Sequence, residues 1–238
     1  MAFQRPRPFP ATLTLPAALK RLASQTSSGW IGKRAGAESR PRRQGFPPDV
    51  VASRLATHAA SGTGGWQTLA VLVMLSGLPG VGKSAIADEL GRRLPACVIS
   101  VDPIESAILR SGIQHSFETG LAAYSVGASI AEHQLRLGLT VVADAANYLE
   151  VGRDIWRAAA VRAEAALRVI EIVCSDERVH RQRLETRQRE LGPFPEPTWD
   201  AVVERRVEVE PWRDDHLVLD STRPISDNVS LALEYLAR

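Results

Sequence analysis

Eight consecutive residues, Gly77-Leu78-Pro79-Gly80-Val81-Gly82-Lys83-Ser84, fit the spacing G-x-x-x-x-G-K-[ST] at every fixed position. The chemistry of such a run is to hold a polyphosphate. Gly80 and Gly82 let the backbone curl so that successive N–H groups converge on phosphate oxygens. A helix starting at Lys83 and running through Ala85 aims its positive end at the same point. Lys83 adds a full charge for the β- and γ-phosphates of ATP, and Ser84 offers a hydroxyl to Mg²⁺. Residues Gly77 to Ala85 are therefore the expected nucleotide site. The alternative is a tight strand-to-helix turn that holds no ligand.

Two aspartates end apolar runs. Asp144 follows Leu139-Thr140-Val141-Val142-Ala143, and Asp102 follows Val98-Ile99-Ser100-Val101. In an open α/β sheet, ligands sit beyond the carboxyl ends of the strands, so both belong to the expected site edge. Asp144 is expected to serve Mg²⁺ together with Ser84. Asp102 is expected to act as general base or anchor for an acceptor hydroxyl. The alternative for each is a helix cap or turn former. For Asp102 that alternative is strengthened by Pro103, a favoured first helical residue.

The segment after the fourth apolar run carries Arg178, Arg181, Arg183, Arg187 and Arg189, then a Gly/Pro stretch from Gly192 to Pro197. Read as one helix from Asp176 to about Arg189, it sets Arg183 and Arg187 on one face. A small lid is the expected use, with these two arginines neutralising charge on a transferring phosphoryl group. A solvated basic face is the alternative, and it is the reading adopted for the other arginines. His133, beside Glu132, reads as a surface or core residue. His180 and His216 have no partner at ligand spacing and are assigned no role. Trp156, Trp199 and Trp212 read as packing residues.

These side chains need a frame. Strands are expected at Thr68–Leu75, Ala96–Val101, Leu139–Ala143, Ala166–Cys174 and His216–Leu219. Helices are expected at Lys83–Leu94, Pro103–Arg110, Thr119–Leu137 (capped by Gly138), Val151–Ala165, Asp176–Arg189, Thr198–Val207 and Ser226–Ala237. Apolar strands alternating with helices imply a parallel sheet covered on both faces.

The net charge of +2 hides a division near Gly64-Gly65. Residues 1–66 hold 10 Lys/Arg against 2 Asp/Glu; residues 67–238 hold 19 against 25. The first segment is basic and rich in Pro, Ser and Gly, and it is expected to be a largely disordered extension. An over-extended start, with the true one near Leu69, would account for it equally. No apolar run reaches the ~18–20 residues of a membrane span. Two isolated cysteines, Cys97 and Cys174, make neither a disulfide framework nor a metal cluster, so a cytoplasmic protein with buried thiols is expected.

Residues 68–238 resemble the AAA-type P-loop kinase-like proteins, relatives of polynucleotide 5′-kinases, shikimate kinase and chloramphenicol phosphotransferase. The likeness rests on Gly77 to Ser84, Ser100-Val101-Asp102, Val142-Ala143-Asp144-Ala145-Ala146-Asn147, Cys174-Ser175-Asp176 leading to Arg183 and Arg187, and Glu210-Pro211-Trp212 before Leu217-Val218-Leu219-Asp220. It implies a P-loop NTPase fold with five parallel strands in the order 2-3-1-4-5. In that order Asp144 faces Ser84 and Asp102 lies on the acceptor side. The expected function is a Mg-ATP-dependent kinase acting on a hydroxyl of a small molecule not yet identified. An ATPase, a non-catalytic nucleotide-binding module and a 5′-hydroxyl polynucleotide kinase remain alternatives. The acidic balance of residues 67–238 argues against nucleic acid as the partner.

Overall fold

A computed structural model describes residues 70–238. The expectations for the basic extension lie outside the described residues. Five strands, β1 (Val71–Ser76), β2 (Ala96–Ser100), β3 (Thr140–Asp144), β4 (Ala166–Val173) and β5 (His216–Asp220), form one sheet in the order β2-β3-β1-β4-β5. Every pairing is parallel. The central strands are β-branched and apolar because both of their faces are covered.

Side chains of β1 alternate between two cores. Leu72 and Met74 join a cluster with Val141, Ala143 and Trp156; Val73 and Leu75 join another with Val142, Ile170 and Ile172. The first cluster is closed by α3 (Phe117–Arg136) and α4 (Glu150–Arg162), the second by α1 (Lys83–Arg93) and α7 (Ile225–Leu236). Three further helices, α2 (Val101–Arg110), α5 (Glu177–Thr186) and α6 (Trp199–Glu208), complete the described chain.

Two boundaries differ from the sequence reading in ways that matter to the site. Strand β2 passes into α2 with no intervening loop: Ser100 is the N-cap and Asp102 lies in the first helical turn. Asp102 is thus not a cap; a carboxylate there faces the positive helix end. Helix α5 stops at Thr186, and Arg187 takes an extended conformation, φ −65° and ψ 139°. Arg183 and Arg187 therefore do not share a helical face, and the chain from Arg187 to Thr198 crosses the sheet edge as an irregular segment. Elsewhere α3 starts at Phe117, two residues early, because Ser116 and Thr119 form a reciprocal cap. The expected Gly138 terminus is present with φ 81°. Both cysteines are free and half-buried rather than buried.

Candidate functional site

The loop between β1 and α1 starts where no side chain fits. Gly77 has φ 143°, and a Cβ there would lie 2.2 Å from the Ile172 carbonyl oxygen of β4. At the other end Gly82, φ 98°, is the N-cap of α1. A left-handed residue at that point turns the chain so that the first N–H groups of the helix open into the cleft. Ser84 and Ala85 are exposed at the helix start, and Lys83 is half-buried. Lys83 Nζ donates to the Leu78 carbonyl oxygen at 2.9 Å. Burial lowers the Lys83 pKa; Asp144 and Asp102 oppose this, while Arg187 and Arg189 add to it.

Asp144 is held between two strand ends, with Leu75 of β1 on one side and Ser100 of β2 on the other. Its Oδ2 accepts from Ser84 Oγ at 2.7 Å and from Ser100 Oγ at 2.9 Å, and the residue is 6% exposed. Mg²⁺ prefers oxygen ligands and is commonly held by one or two protein oxygens plus substrate phosphates. A hydroxyl beside a carboxylate suits that requirement. Among the described residues no group of three or more His, Cys, Asp or Glu is placed to hold a metal on its own.

The loop after β3 is sewn to the phosphate loop. Gly77 N donates to the Ala146 carbonyl oxygen at 3.0 Å, and Asn147 Nδ2 donates to the Leu75 carbonyl oxygen at 2.6 Å. His180, given no role from sequence, is 2% exposed on α5 with its Nε2 2.8 Å from the Pro79 carbonyl oxygen. A carbonyl can only accept, so Nε2 carries the proton. Burial lowers the His180 pKa, and the bond to Pro79 opposes this. The side chain ties α5 to the loop and lies edge-on to Trp199, with centroids 5.1 Å apart.

The cleft at the phosphate loop, about 600 Å³, extends to Asp102. The irregular segment after α5 supplies its far wall. Arg189 Nη1 donates to Asp102 Oδ2, and Arg189 Nε and Nη2 donate to Glu196 at 2.8 and 2.9 Å. Arg187 pairs with Glu196 at 2.7 Å, and its buried Nε has no hydrogen-bond partner among the described residues. Burial lowers the Arg187 pKa, helped by the neighbouring Arg189 charge and opposed by Glu196. Arg183 turns the other way, its Nη1 and Nη2 donating to Oγ and the carbonyl oxygen of Ser221 at 2.9 and 3.1 Å beside Gly82.

The sequence-named residues Lys83, Ser84, Asp102, Asp144, Arg183 and Arg187 thus line one cleft. Ser100, His115, Arg189, Phe194, Glu196 and Arg205 were not picked out. Ser100 sits two residues before Asp102, and strand register alone would have put it beside Asp144. The others reach the cleft through tertiary turns that leave no periodic signal.

A five-stranded parallel sheet in this order, with a glycine-rich turn at the end of β1 leading into a Lys-Ser helix start, defines a P-loop NTPase fold. The chain belongs to the AAA domain family, whose model matches residues 72–209, more than half of its length. No curated protein matches it in sequence. Among solved structures it is similar to the Mycobacterium tuberculosis APS kinase CysC in complex with AMPPNP and APS (TM-score 0.57, 17% identity, covering 71% of this chain and 99% of that one). It is also similar to a sugar kinase from Janibacter sp. HTCC2649 in unliganded form (TM-score 0.53, 18% identity, 71% and 94%). A third likeness is to Chaetomium thermophilum Kti12 in complex with ADP-AlF3 (TM-score 0.52, 18% identity, 70% and 100%). At these identities the likeness is one of fold.

Proposed function

We propose that the chain is a Mg-ATP-dependent kinase that transfers the γ-phosphoryl group of ATP to a hydroxyl of a small molecule. The observation that carries this reading is the convergence of Lys83, Ser84, Asp144 and Asp102 on one cleft, with Asp144 bonded to Ser84 and Asp102 in the first turn of α2. Membership of the AAA domain family and the kinases among the fold neighbours are consistent with it.

In this reading residues Gly77 to Ala85 bind the triphosphate with backbone N–H groups and the Lys83 ammonium. Ser84 and Asp144 would hold Mg²⁺, which supplies neutralisation of the β- and γ-oxygens. Asp102 orients the acceptor hydroxyl and takes its proton as the acceptor oxygen bonds to the γ-phosphorus and the bond to the β-bridging oxygen breaks, releasing ADP. Arg183 and Arg187 approach the transferring group from α5 and the segment after it, adding fixed positive charge where negative charge shifts. Most of the rate enhancement comes from positioning and electrostatics, because this transfer asks little covalent chemistry of the protein.

The test is ATP turnover against a panel of small alcohols, sugars, nucleosides and 5′-hydroxyl oligonucleotides, repeated with two aspartate variants. Asp144→Asn is expected to weaken nucleotide binding in Mg²⁺ and to raise the Mg²⁺ needed for turnover. Asp102→Asn is expected to leave Mg-ATP affinity near that of the parent while transfer falls by roughly 10²–10⁴-fold. If Asp102→Asn alone abolishes Mg-ATP binding, the two roles are reversed. If neither variant changes binding or transfer, both carboxylates are structural and the kinase reading fails.

A further inference from the structure

The cleft carries more positive charge than a nucleotide can neutralise. Six side-chain cations line it, Lys83, Arg183, Arg187, Arg189, Arg205 and Arg223, against three carboxylates, Asp102, Asp144 and Glu196. A Mg²⁺-bound triphosphate carries about two negative charges net near neutral pH, since the last phosphate pKa is about 6. Filling the nucleotide half therefore leaves roughly one cation unanswered.

The geometry says which. Arg183 and Arg223 stand at the Ser221 side of the phosphate loop, Arg183 through two bonds to Ser221. Arg187 and Arg189 already share Glu196 and Asp102. Arg205 is different. It lies on α6, half-buried, lines the cleft on the side of Glu105 of α2, and among the described residues no carboxylate lies within ion-pair distance of it. Its guanidinium stands 6.0 Å from the centroid of the Tyr148 ring. The next residue, Arg206, behaves as a surface arginine does: it pairs with Glu177 at 3.3 Å and lies over Trp199. Position on the helix, not composition, thus separates a solvated arginine from one facing the cleft. Glu105 acts on it only from beyond ion-pair distance, and a half-buried guanidinium with no carboxylate in contact is costly unless an anion visits it.

We infer that the acceptor is a hydroxyl compound that also bears an oxyanion, a carboxylate, sulfate or phosphate, and that Arg205 binds this group while Asp102 faces the hydroxyl. The inference rests on the kinase reading of the same cleft and narrows it to an acidic acceptor. A planar guanidinium fork matches any of these oxyanions in two-bond fashion. Arg187, whose Nε has no partner among the described residues, lines the same cleft.

The experiment uses the full chain saturated with Mg-AMPPNP, so that the phosphate loop is filled. Inorganic sulfate is titrated against chloride at equal ionic strength, and the melting midpoint is followed for the parent, Arg205→Gln and Arg205→Lys. The parent is expected to gain more from sulfate than Arg205→Gln does, with Arg205→Lys in between and nucleotide affinity equal in all three. The general stabilisation that sulfate gives any protein is common to the three and cancels. Equal sulfate responses in the parent and Arg205→Gln would overturn the inference while leaving the kinase reading intact. Absence of nucleotide binding in the parent would overturn both. In turnover, acceptors offered as matched sets of neutral alcohol, carboxylate and phosphate ester identify which oxyanion is used. The acidic members should be preferred by the parent, and Arg205→Gln should lose about ten- to a hundredfold of that preference in kcat/KM, the worth of a charged hydrogen bond. A parent that prefers the neutral member would refute it.

Discussion

Lys83 is a residue whose protonation depends on what occupies the cleft. Without phosphate nearby, burial lowers its pKa, and Arg187 and Arg189 lower it further. Phosphate oxygens would reverse that balance by pairing with Nζ. Between the lowered pKa of the free protein and the raised pKa of the complex, nucleotide binding should therefore take up a proton. Titration calorimetry across a series of pH values, in two buffers of different ionisation enthalpy at each, should give binding enthalpies that differ in the sense of uptake within that window; Lys83→Arg should give none. Equal enthalpies in both buffers for the parent would remove this role. The unfolded lysine also holds its proton more firmly than the folded one, so the ligand-free fold gains stability as pH rises from the lowered folded pKa to the ordinary lysine value. At this scale the phosphate loop was legible in the sequence because its spacing is the mechanism. Arg189 and Glu196 were not, because an arginine in a run of charged residues looks the same whether it meets water or Asp102, 87 positions away.

Elements hold the site through contacts no motif announces. Arg153 of α4 is fully buried. Its guanidinium lies 3.6 Å from the Trp212 ring centroid and donates to Glu150 and to the carbonyl oxygens of Asn147, Glu210 and Pro211. It thereby pins the chain before β5 and the loop after β3 to one helix. Burial acts to raise the Glu150 pKa, but hydrogen bonds from Arg157 and Arg153 hold it below the usual range. Arg153→Met should cost about 1–3 kcal/mol for each buried carbonyl oxygen left without a donor, those of Asn147, Glu210 and Pro211, while Glu150 keeps its pair with Arg157. Urea unfolding of the two proteins measures it, and a loss under 1 kcal/mol would show that the network is dispensable. The order of strands and helices was readable, since buried parallel strands are apolar runs and amphipathic helices are periodic. The end of α5 was not: the charged pattern continues past Thr186 to Glu190 without a breaker before Gly192. What draws Arg187 and Arg189 away from the helix axis is ion pairing with Glu196 and Asp102, which lie on other parts of the chain.

For the whole molecule, a ligand that binds only the folded chain must stabilise it. Mg-ATP at 100 times its dissociation constant should add about 2.7 kcal/mol. A melting midpoint unchanged at millimolar Mg-ATP would sink the nucleotide assignment. The basic residues 1–66 stand apart by composition, so a chain starting near Gly64 should bind Mg-ATP as the full one does; loss of binding would make that segment part of the domain. Among the described residues no helix is long and apolar enough to cross a membrane. One more consequence follows from how the segment from Arg187 to Thr198 is fastened. From residue 188 to residue 197 the only backbone N–H with a backbone acceptor among the described residues is that of Phe194, to Leu191. Among the described residues its other polar anchorage is one hydroxyl bond, Ser106 to the Leu191 carbonyl oxygen, and the half-exposed pairs of Arg187 and Arg189, beside the edge contact of Phe194 with His115. The phosphate loop, by contrast, is clamped by backbone and buried bonds. Ionic strength should therefore act on the two halves of the cleft unequally, because salt shortens the reach of charges from about 8 Å in physiological buffer to about 3 Å at 1 M. The amide hydrogen of Phe194 should exchange faster in 1 M sodium chloride, while those of the phosphate loop that are hydrogen-bonded, Gly77, Val81 and Ile86, keep their protection. The cleft would then have a salt-tolerant floor for nucleotide and a salt-labile wall for the acceptor.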